Sequence, residues 1–558
     1  TGYSVDNDDT LTFTVSDLLS NDTDADNDTL TITGVSNPVG GTVEITQPEV
    51  ASDTSAVVGD FASHGAGGQV SADGRYVLVR SSDSNSNFGL TGSIWRKDLL
   101  TGQQERVDID GAGNTSDYGH ATGISADGRY VLFSSRTPEL DPLSIATAGT
   151  EDQGLFDGLF LLRKDMDTGA IVRVDVGTNG GPLADNDTFT IVHPGKSPPA
   201  LSGDGNVVVF EYGDYPNGSD TMHVYHKNLT TGELKQVDIQ PDGSPSEMYA
   251  GNLQWRGGGQ KGIDVSYDGS KVVFAAMKTQ TSGYDLVDAS IGMDAVDTKA
   301  YYVRDMNVTT GTPVTLASAN GDGVPYDSHQ YEVYQSGLAI SGNGQFVAFN
   351  AESSNLTDAD TRILNADNTV LKFGVQTYVK NLSTGEIIVA SAAADGTLSN
   401  QDHGSYIGAS CLSADGRYMV LTSNASNLIV GDTNNATDVF VKDLQTGAIE
   451  RVAEDPNNGG YLPHVAISED GSTITYADSS GAGYVVESPF VSSTLSSDPS
   501  VVFTPNSDFT GDASFTYTVS DGTLTDTGSV SVTVTETVTG RAIDGYIEGA
   551  TIFADADG

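Results

Sequence analysis

Four aspartates, Asp22, Asp24, Asp26 and Asp28, alternate with Thr23, Ala25 and Asn27. Carboxylates this close repel one another unless a hard cation with about six to eight oxygen ligands gathers them, and calcium is the candidate that suits them. The spacing is not that of an EF-hand, because the sixth position from Asp22 is Asn27 rather than Gly and the twelfth is Thr33 rather than Glu. A solvated acidic turn is the competing reading. Asp285 with Asp288, Asp358 with Asp360, and Asp432 through Asn434 to Asp438 form similar runs. There, hydrogen bonds from Asp and Asn to the turn backbone explain the composition as well as calcium does.

Six of the eight histidines, His64, His120, His193, His329, His403 and His464, fall in six different stretches of chain. These stretches, together with a corresponding one at 240–262 that has no histidine, hold Tyr118, Trp255, Arg256, Tyr331 and Tyr406. A ring of histidine-bound metal is one use for them, but their offsets from the next serine motif differ too much for the imidazoles to converge. An aromatic, hydrogen-bonding rim for a sugar or peptide is the reading that fits. The candidate ligand-binding residues are Trp255, Arg256, Tyr331, His329, Tyr118, His120, Tyr406 and His403. Trp255 is the foremost platform, with sheet packing as its alternative role. The chain contains no Gly-x-Ser-x-Gly elbow and no His-Glu-x-x-His helix, and Pro194-Gly195-Lys196-Ser197 fails as a phosphate loop because Thr190 stands where a glycine is required. The sequence therefore reads as a binding protein rather than an enzyme.

What positions these residues is a repeat. A Ser-x-Asp/Asn-Gly phrase begins at Ser71, Ser125, Ser202, Ser266, Ser341, Ser413 and Ser468, at separations of 54 to 77 residues. Asp-Gly and Asn-Gly supply the positive φ of a tight turn, and flanking runs such as Tyr130-Val131-Leu132-Phe133 read as strand. The same motif at seven equivalent places is scaffold chemistry, not seven nucleophiles. A second phrase, Lys/Arg-Asp/Asn followed by Thr-Gly, begins at Lys97, Lys164, Lys227, Arg304, Lys380 and Lys442. Two hairpins per repeat make a four-stranded antiparallel sheet, and seven such sheets predict a seven-bladed β-propeller. The seventh copy lacks the second phrase, so its outer strand is expected from elsewhere, near Ser52 to Val58. The two phrases resemble the Tol-type propeller repeat, a resemblance that covers about residues 60 to 490 and implies the fold but no activity.

The two ends of the chain read differently. Leu11-Thr-Phe13, Leu30-Thr-Ile32 and Val43-Glu-Ile45 at one end, and Val501-Val-Phe503, Phe515-Thr-Tyr517 and Val530-Ser-Val532 at the other, are short Thr-rich strands. Neither set can cover two sheet faces, but together they supply one small sandwich. Asp17 to Asp24, Phe503-Thr-Pro505 to Gly511 and Tyr517 to Gly522 resemble the two ends of one cadherin-like repeat of giant bacterial RTX-type surface adhesins. That resemblance implies calcium at Asp22, Asp24, Asp26 and Asp28, with Asp508 and Asp521 sharing the ions, and it places Gly41 to Val43 beside Val502 and Phe503. The expected organisation is all-β: a split Ig/cadherin-like β-sandwich from 1–48 plus 491–538, a seven-bladed β-propeller at 49–490 inserted in one of its hairpins, and the start of a following repeat at 539–558.

The 558 residues carry a net charge of −50, which excludes a nucleic-acid partner because phosphate binding needs clustered Lys and Arg. One cysteine, Cys411, excludes an internal disulfide. No apolar run approaches the ~20 residues of a membrane span. The expected function is a calcium-stabilised adhesion module, extracellular at the bacterial cell surface, monomeric and not membrane-inserted, whose propeller face binds a surface glycan or protein. A propeller enzyme acting on polysaccharide, lyase or hydrolase, and a structural spacer are the rivals.

Overall fold

The computed structural model describes residues 3–7, 10–13, 18–19, 30–46, 57–60, 69–82, 92–116, 120–135, 137–143, 160–178, 198–214, 221–239, 249–250, 262–277, 299–308, 314–326, 337–358, 361–364, 370–400, 407, 410–434, 436–454, 465–478, 481–491, 500–507, 509–520 and 524–535. They are strands joined by turns, with almost no helix among them. The chain divides into two compact units: Thr1–Val50 with Leu495–Gly558, and Ala51–Thr494.

In the first unit the two chain ends share both sheets. One sheet runs Tyr3–Asp6, Thr525–Thr535, Gly511–Ser520, Thr31–Val39, and the other runs Leu11–Phe13, Ser500–Pro505, Gly41–Thr46. Along Gly511–Ser520 every second residue from Ala513 to Val519 is buried, which is the period-two pattern of a strand with one wet face. The core they form joins Phe13 and Ile32 from one end of the chain to Phe503, Phe515 and Val532 from the other. The Phe13 and Phe515 rings meet edge-on at 5.4 Å, and the Tyr517 hydroxyl donates to the Leu18 carbonyl at 3.0 Å. Strands Gly41–Thr46 and Ser500–Pro505 are paired from Gly41 opposite Pro505 to Thr46 opposite Ser500.

The second unit repeats one sheet. His120–Ile124, Tyr130–Ser135, Phe160–Asp165 and Ile171–Arg173 pair in sequence order as an antiparallel meander. Ala200–Leu201 to Leu234–Gln236, Ile263–Val265 to Val314–Leu316, and Leu338–Ile340 to Ile387–Val389 repeat it. In the sixth copy the strands Tyr418–Ser423, Asp438–Asp443 and Ile449–Ala453 are joined by a bridge from Leu412 to Met419. The first and seventh copies share one seven-stranded sheet. In it Val57–Asp60 pairs antiparallel with Ala482–Glu487, completing the seventh repeat with chain from the start of the unit. A single pair, Asp60 with Arg80, continues to the first. No sheet of described residues closes on itself.

The seven turns share one geometry. The serine Oγ donates to the Asp or Asn Oδ1 at 2.5–2.7 Å. The same Oγ accepts the backbone N–H five residues on, as from Tyr76 to Ser71 at 2.9 Å. The turn glycine sits at φ between +68° and +79°, where a side chain is strained. At Gly128 a Cβ would also come within 2.2 Å of the Tyr76 ring from the preceding repeat.

Each turn also hydrogen-bonds to the next. Ala72 N–H donates to Ala126 O at 2.9 Å, Ala126 to Gly203 at 2.8 Å, Gly203 to Tyr267 at 2.9 Å and Tyr267 to Gly342 at 2.8 Å. Asn343 then donates to Ala414 at 2.9 Å, Ala414 to Glu469 at 2.7 Å, and Asp470 back to Ala72 at 3.1 Å. The seven turns thus form one unbroken ring of main-chain hydrogen bonds.

Farther out, the basic residue of the second phrase ties each of the second to sixth repeats to the one before. Lys164 Nζ donates to the carbonyls of Arg106 and Ile109, Lys227 to Val176, Arg304 to Val237, Lys380 to Ala319 and Lys442 to Ala392. In the first, second and sixth repeats the aspartate of that phrase pairs with the arginine after the turn: Asp98 with Arg75, Asp165 with Arg129 and Asp443 with Arg417, at 2.7–2.9 Å.

The shared core of the first unit makes a direct prediction. Residues 1–46 joined through a two-residue turn to 500–538 fold into a protease-resistant β domain, whereas 1–48 alone show no cooperative unfolding by circular dichroism. In the fusion, Phe503→Ala costs about 3–5 kcal/mol in urea denaturation.

Candidate functional site

The inner strands converge on a cavity of about 70 Å³. Every repeat contributes to its wall: Gln69 and Ala72, Thr122 and Ala126, Leu201 and Gly203, Asp264 and Tyr267, Ile340 and Gly342, Ser410 and Leu412, Ile467 and Glu469. A water needs roughly 10–15 Å³ of such space, so the cavity has room for several waters.

Its shape follows from the second position of the seven turns. Five of these residues, Ala72, Ala126, Gly203, Gly342 and Ala414, are small and leave the centre open. The other two, Tyr267 and Glu469, reach into it. The Tyr267 ring lies against Gly203, where a Cβ would sit 2.2 Å from it, and keeps 43% of its surface exposed at the lip. Ser410 lines the same cavity with φ of +57°, rare for a residue other than glycine, and its carbonyl accepts the Ile467 N–H at 2.8 Å.

Among the described residues the cavity wall is acidic, with Asp264 and Glu469 and no basic side chain. Asp264 is buried, with Oδ2 accepting the Ile340 N–H at 3.0 Å. The Glu469 carboxyl is pushed up to about 7, first by burial and then by the charges of Asp264 and Asp470. Burial, followed by Glu469, Asp127 and Asp204, raises the Tyr267 hydroxyl. At neutral pH this centre can hold water, exchange a proton at Glu469 and donate or accept hydrogen bonds. Among the described residues no group of three or more His, Cys, Asp or Glu is placed to hold a metal ion.

Of the ligand-binding residues expected from sequence, Tyr118, Trp255, Arg256, His329, Tyr331, His403 and Tyr406 lie outside the described residues, as do Asp22, Asp24, Asp26, Asp28, Asp508 and Asp521. His120 is described: it opens the inner strand His120–Ile124 opposite Ser134 and is buried, with 5% of its surface accessible. The cavity lies at the other end of that strand, beside the turn at Ser125. The chain entering the inner strands begins as a compact turn in three repeats, closed by the bridges Ile109–Thr115, Ala319–Pro325 and Ala392–Leu398.

The acidic run in the sixth repeat has its own cation. Arg451 Nη1 lies 3.0 Å from Asp438 Oδ2 and 3.6 Å from Asp432 Oδ1, and its Nη2 pairs with Glu454. Asn434 adds hydrogen bonds to both Asp438 oxygens. The guanidinium thus offsets the charge of these carboxylates.

The sequence reading missed a third repeated phrase, Arg106-Val-Asp108, Arg173-Val-Asp175 and Gln236-Val-Asp238. Each aspartate is buried and accepts a main-chain N–H from the neighbouring strand: Ile94, Leu161 and Val224. Arg106, Arg173 and His223 are their charged or ring-nitrogen partners at 2.8–3.0 Å. Ser318 and Ser391 do the same with a hydroxyl in the fourth and fifth repeats. The recurrence of Val-Asp at the end of the fourth strand was the available signal.

A cadherin-like domain model matches residues 473–535. The match starts in strand Thr473–Ala477, which pairs inside the second unit, and ends with the last strand of the first. A contiguous model cannot follow a domain whose first strands lie at residues 3–46. No curated protein matches the chain. Solved structures similar to it include TolB from Acinetobacter baumannii, at 13% identity and a TM-score of 0.32 over 78% of this chain and 82% of that one. An oligogalacturonate lyase in complex with manganese matches at 12% identity and a TM-score of 0.41 over 85% and 99%. The β-propeller domain of the Trilobed protease from Pyrococcus furiosus matches at 9% and 0.38 over 76% and 94%.

The charge balance around Arg451 gives the prediction of this section. Arg451→Met leaves Asp432 and Asp438 buried without their cation and lowers stability by about 3–5 kcal/mol in urea denaturation. Arg451→Lys recovers part of the loss.

Proposed function

We propose that the chain is a ligand-binding module of an extracellular bacterial surface protein, in which a split cadherin-like sandwich carries a seven-bladed β-propeller as an insert. The observation that supports this reading most is the register of the two strands flanking the insert. Thr46 lies opposite Ser500, so residues 47–499 occupy what would otherwise be a short hairpin turn. A domain that spends its hairpin tip on so large an insert serves to present it. The ring of seven turns supports the count of seven blades, since each turn donates to the next and the seventh returns to the first.

The ligand belongs on the propeller face fed by the long aromatic-rich connections, where Trp255, Arg256, His329 and Tyr331 supply ring faces for sugar C–H groups or side chains and polar atoms for hydroxyls or amides. Calcium at Asp22, Asp24, Asp26 and Asp28, with Asp508 and Asp521, stiffens the sandwich by neutralising an acidic chain of net charge −50. No helix among the described residues is long and apolar enough to cross a membrane. The module acts as a monomer on a cell-surface glycan or protein.

Two measurements test this. On a glycan array and on whole cells, the intact chain binds, whereas Trp255→Ala and Tyr331→Ala bind at least tenfold more weakly with unchanged melting curves; equal binding by both variants removes the site from this face. Chelating calcium lowers the melting midpoint, because an ion bound only by the native state contributes roughly 2.7 kcal/mol at a hundredfold excess over Kd. Asp24→Ala and Asp26→Ala shrink that effect, and an unchanged midpoint leaves the acidic run a solvated turn.

A further inference from the structure

Among the described residues of the first unit, four strand pairs are antiparallel and one is parallel. The parallel pair joins Tyr3–Asp6, the first strand, to the end of Thr525–Thr535, the last, from Tyr3 opposite Val532 to Asp6 opposite Thr535. Asn7 N–H extends it by donating to the Thr535 carbonyl at 2.8 Å. The Thr535 hydroxyl lies within hydrogen-bonding reach of the Val5 carbonyl, at 3.4 Å, and of the Asp6 carboxylate. On the inner side Val5 is buried in the sandwich core, and the Tyr3 ring meets Phe13 edge-on at 4.8 Å. A strand of four residues is thereby fastened by its ladder, by a hydroxyl and by the core.

Parallel pairing decides how this joint answers to tension. Chain pulled from before Tyr3 and from beyond Thr535 loads the two strands in opposite directions along their common axis, so the four residue pairs resist together. Antiparallel strands held by the same two ends would peel one pair at a time. Forced unfolding follows the unfolding rate, and a step that must break several contacts at once is slow. The insert leaves from elsewhere: Thr46 and Ser500 belong to the three-stranded sheet, whereas the two loaded strands are neighbours in the four-stranded one. While the parallel pair holds, tension crosses from the first strand directly to the last and bypasses residues 47–499.

We propose that the sandwich has a second function besides presenting its insert: the pair of Tyr3–Asp6 with residues 532–535 is a shear clamp that carries tension along the chain and keeps it off the insert. The proposal rests on the reading of the chain as a module of a longer surface protein, since only a chain held at both ends is pulled. It is independent of what the insert binds. Division of labour between the two sheets follows from it, one transmitting force and the other holding the inserted unit.

Single-molecule force spectroscopy on the full chain, held at its two ends and pulled at constant speed, tests this. Elements loaded in series yield weakest first, whereas a sheltered element yields only after the one that shelters it. The expected trace opens with the release of about 80 residues, roughly 25–30 nm, and continues at lower force with events that total roughly 150–160 nm for residues 47–499. Leu524 is 73% exposed and the native Cys411 is buried, so Leu524→Cys gives a second attachment point just before Thr525–Thr535. Pulling from there and from the first residue reaches the pair from its Tyr3 end on both strands and peels it. The first rupture then takes about half the force or less, because one pair is loaded at a time rather than four. Asn7→Pro, which removes the donor to Thr535, and Thr535→Val, which removes the hydroxyl and keeps the shape, each lower the end-to-end rupture force. A first event weaker than those of the insert, equal rupture force in the two pulling directions, or wild-type force in both variants overturns the clamp. The traces are read without ligand, so this result and that of the glycan array stand or fall separately.

Discussion

Everything in the larger unit depends on the hydrogen bond from a serine hydroxyl to the aspartate or asparagine two residues on. It closes a five-residue turn whose main chain would otherwise have several polar groups without partners, and it fixes the direction in which the next strand leaves. With that direction fixed, one N–H of the turn points sideways, to a carbonyl of the next turn. Seven turns of identical shape then generate a ring without any residue that specifies the ring as such. The glycine at the fourth position serves the same end, because the first strand residue of the preceding repeat packs where its Cβ would be. Turn geometry, sheet order and the ring are consequences of one local motif used seven times.

The second constraint is charge. A chain with 76 acidic and 26 basic residues cannot neutralise its carboxylates pairwise, and the fold spends its few cations where solvent cannot help. Arg173 lies between Asp141 and Asp175 with all three side chains buried. The lysines of the second phrase are used differently, donating to main-chain carbonyls of the preceding repeat, and burial pushes Lys380 and Lys442 down to about 8. Their ammonium groups stand where a sheet edge would leave carbonyls unsatisfied. Basic residues therefore work as internal fasteners, while the acidic surplus is left to the surface and to the central cavity.

What could be read in the sequence was whatever is repeated or alternates. The seven turns and six second phrases were legible because turn chemistry restricts residue type at fixed offsets, and the two-ended sandwich because Phe13, Phe503 and Phe515 sit on strands too few at either end to pack alone. The cavity was not legible. It arises from Tyr267 and Glu469, at a position where the motif itself tolerates any residue, and their meaning appears only once seven such positions face one axis. The aspartates of the Val-Asp phrase were overlooked for a related reason: Arg106 and Arg173 stand two residues from the carboxylates they pair with, which in a strand puts both on one face, yet the residues read in isolation are ordinary surface charges. In the run Asp432 to Asp438, composition alone could not show that Arg451 from the next strand comes back to neutralise it.

The topology of the insert follows from the way the larger unit ends. Its last strand, Ala482–Glu487, takes as its outer neighbour Val57–Asp60 from the unit's beginning, with Gly483 opposite Gly59. Paired residues on adjacent strands lie about 4.5–5.5 Å apart, so the step that completes the seventh repeat brings Gly59 and Gly483, from early and late in the unit, side by side. In the first unit Thr46 and Ser500 are paired across adjacent strands in the same way. The shared strand thus covers the edge that the missing second phrase leaves open in the seventh repeat, so the one copy without its own outer hairpin borrows a strand from the start of the unit.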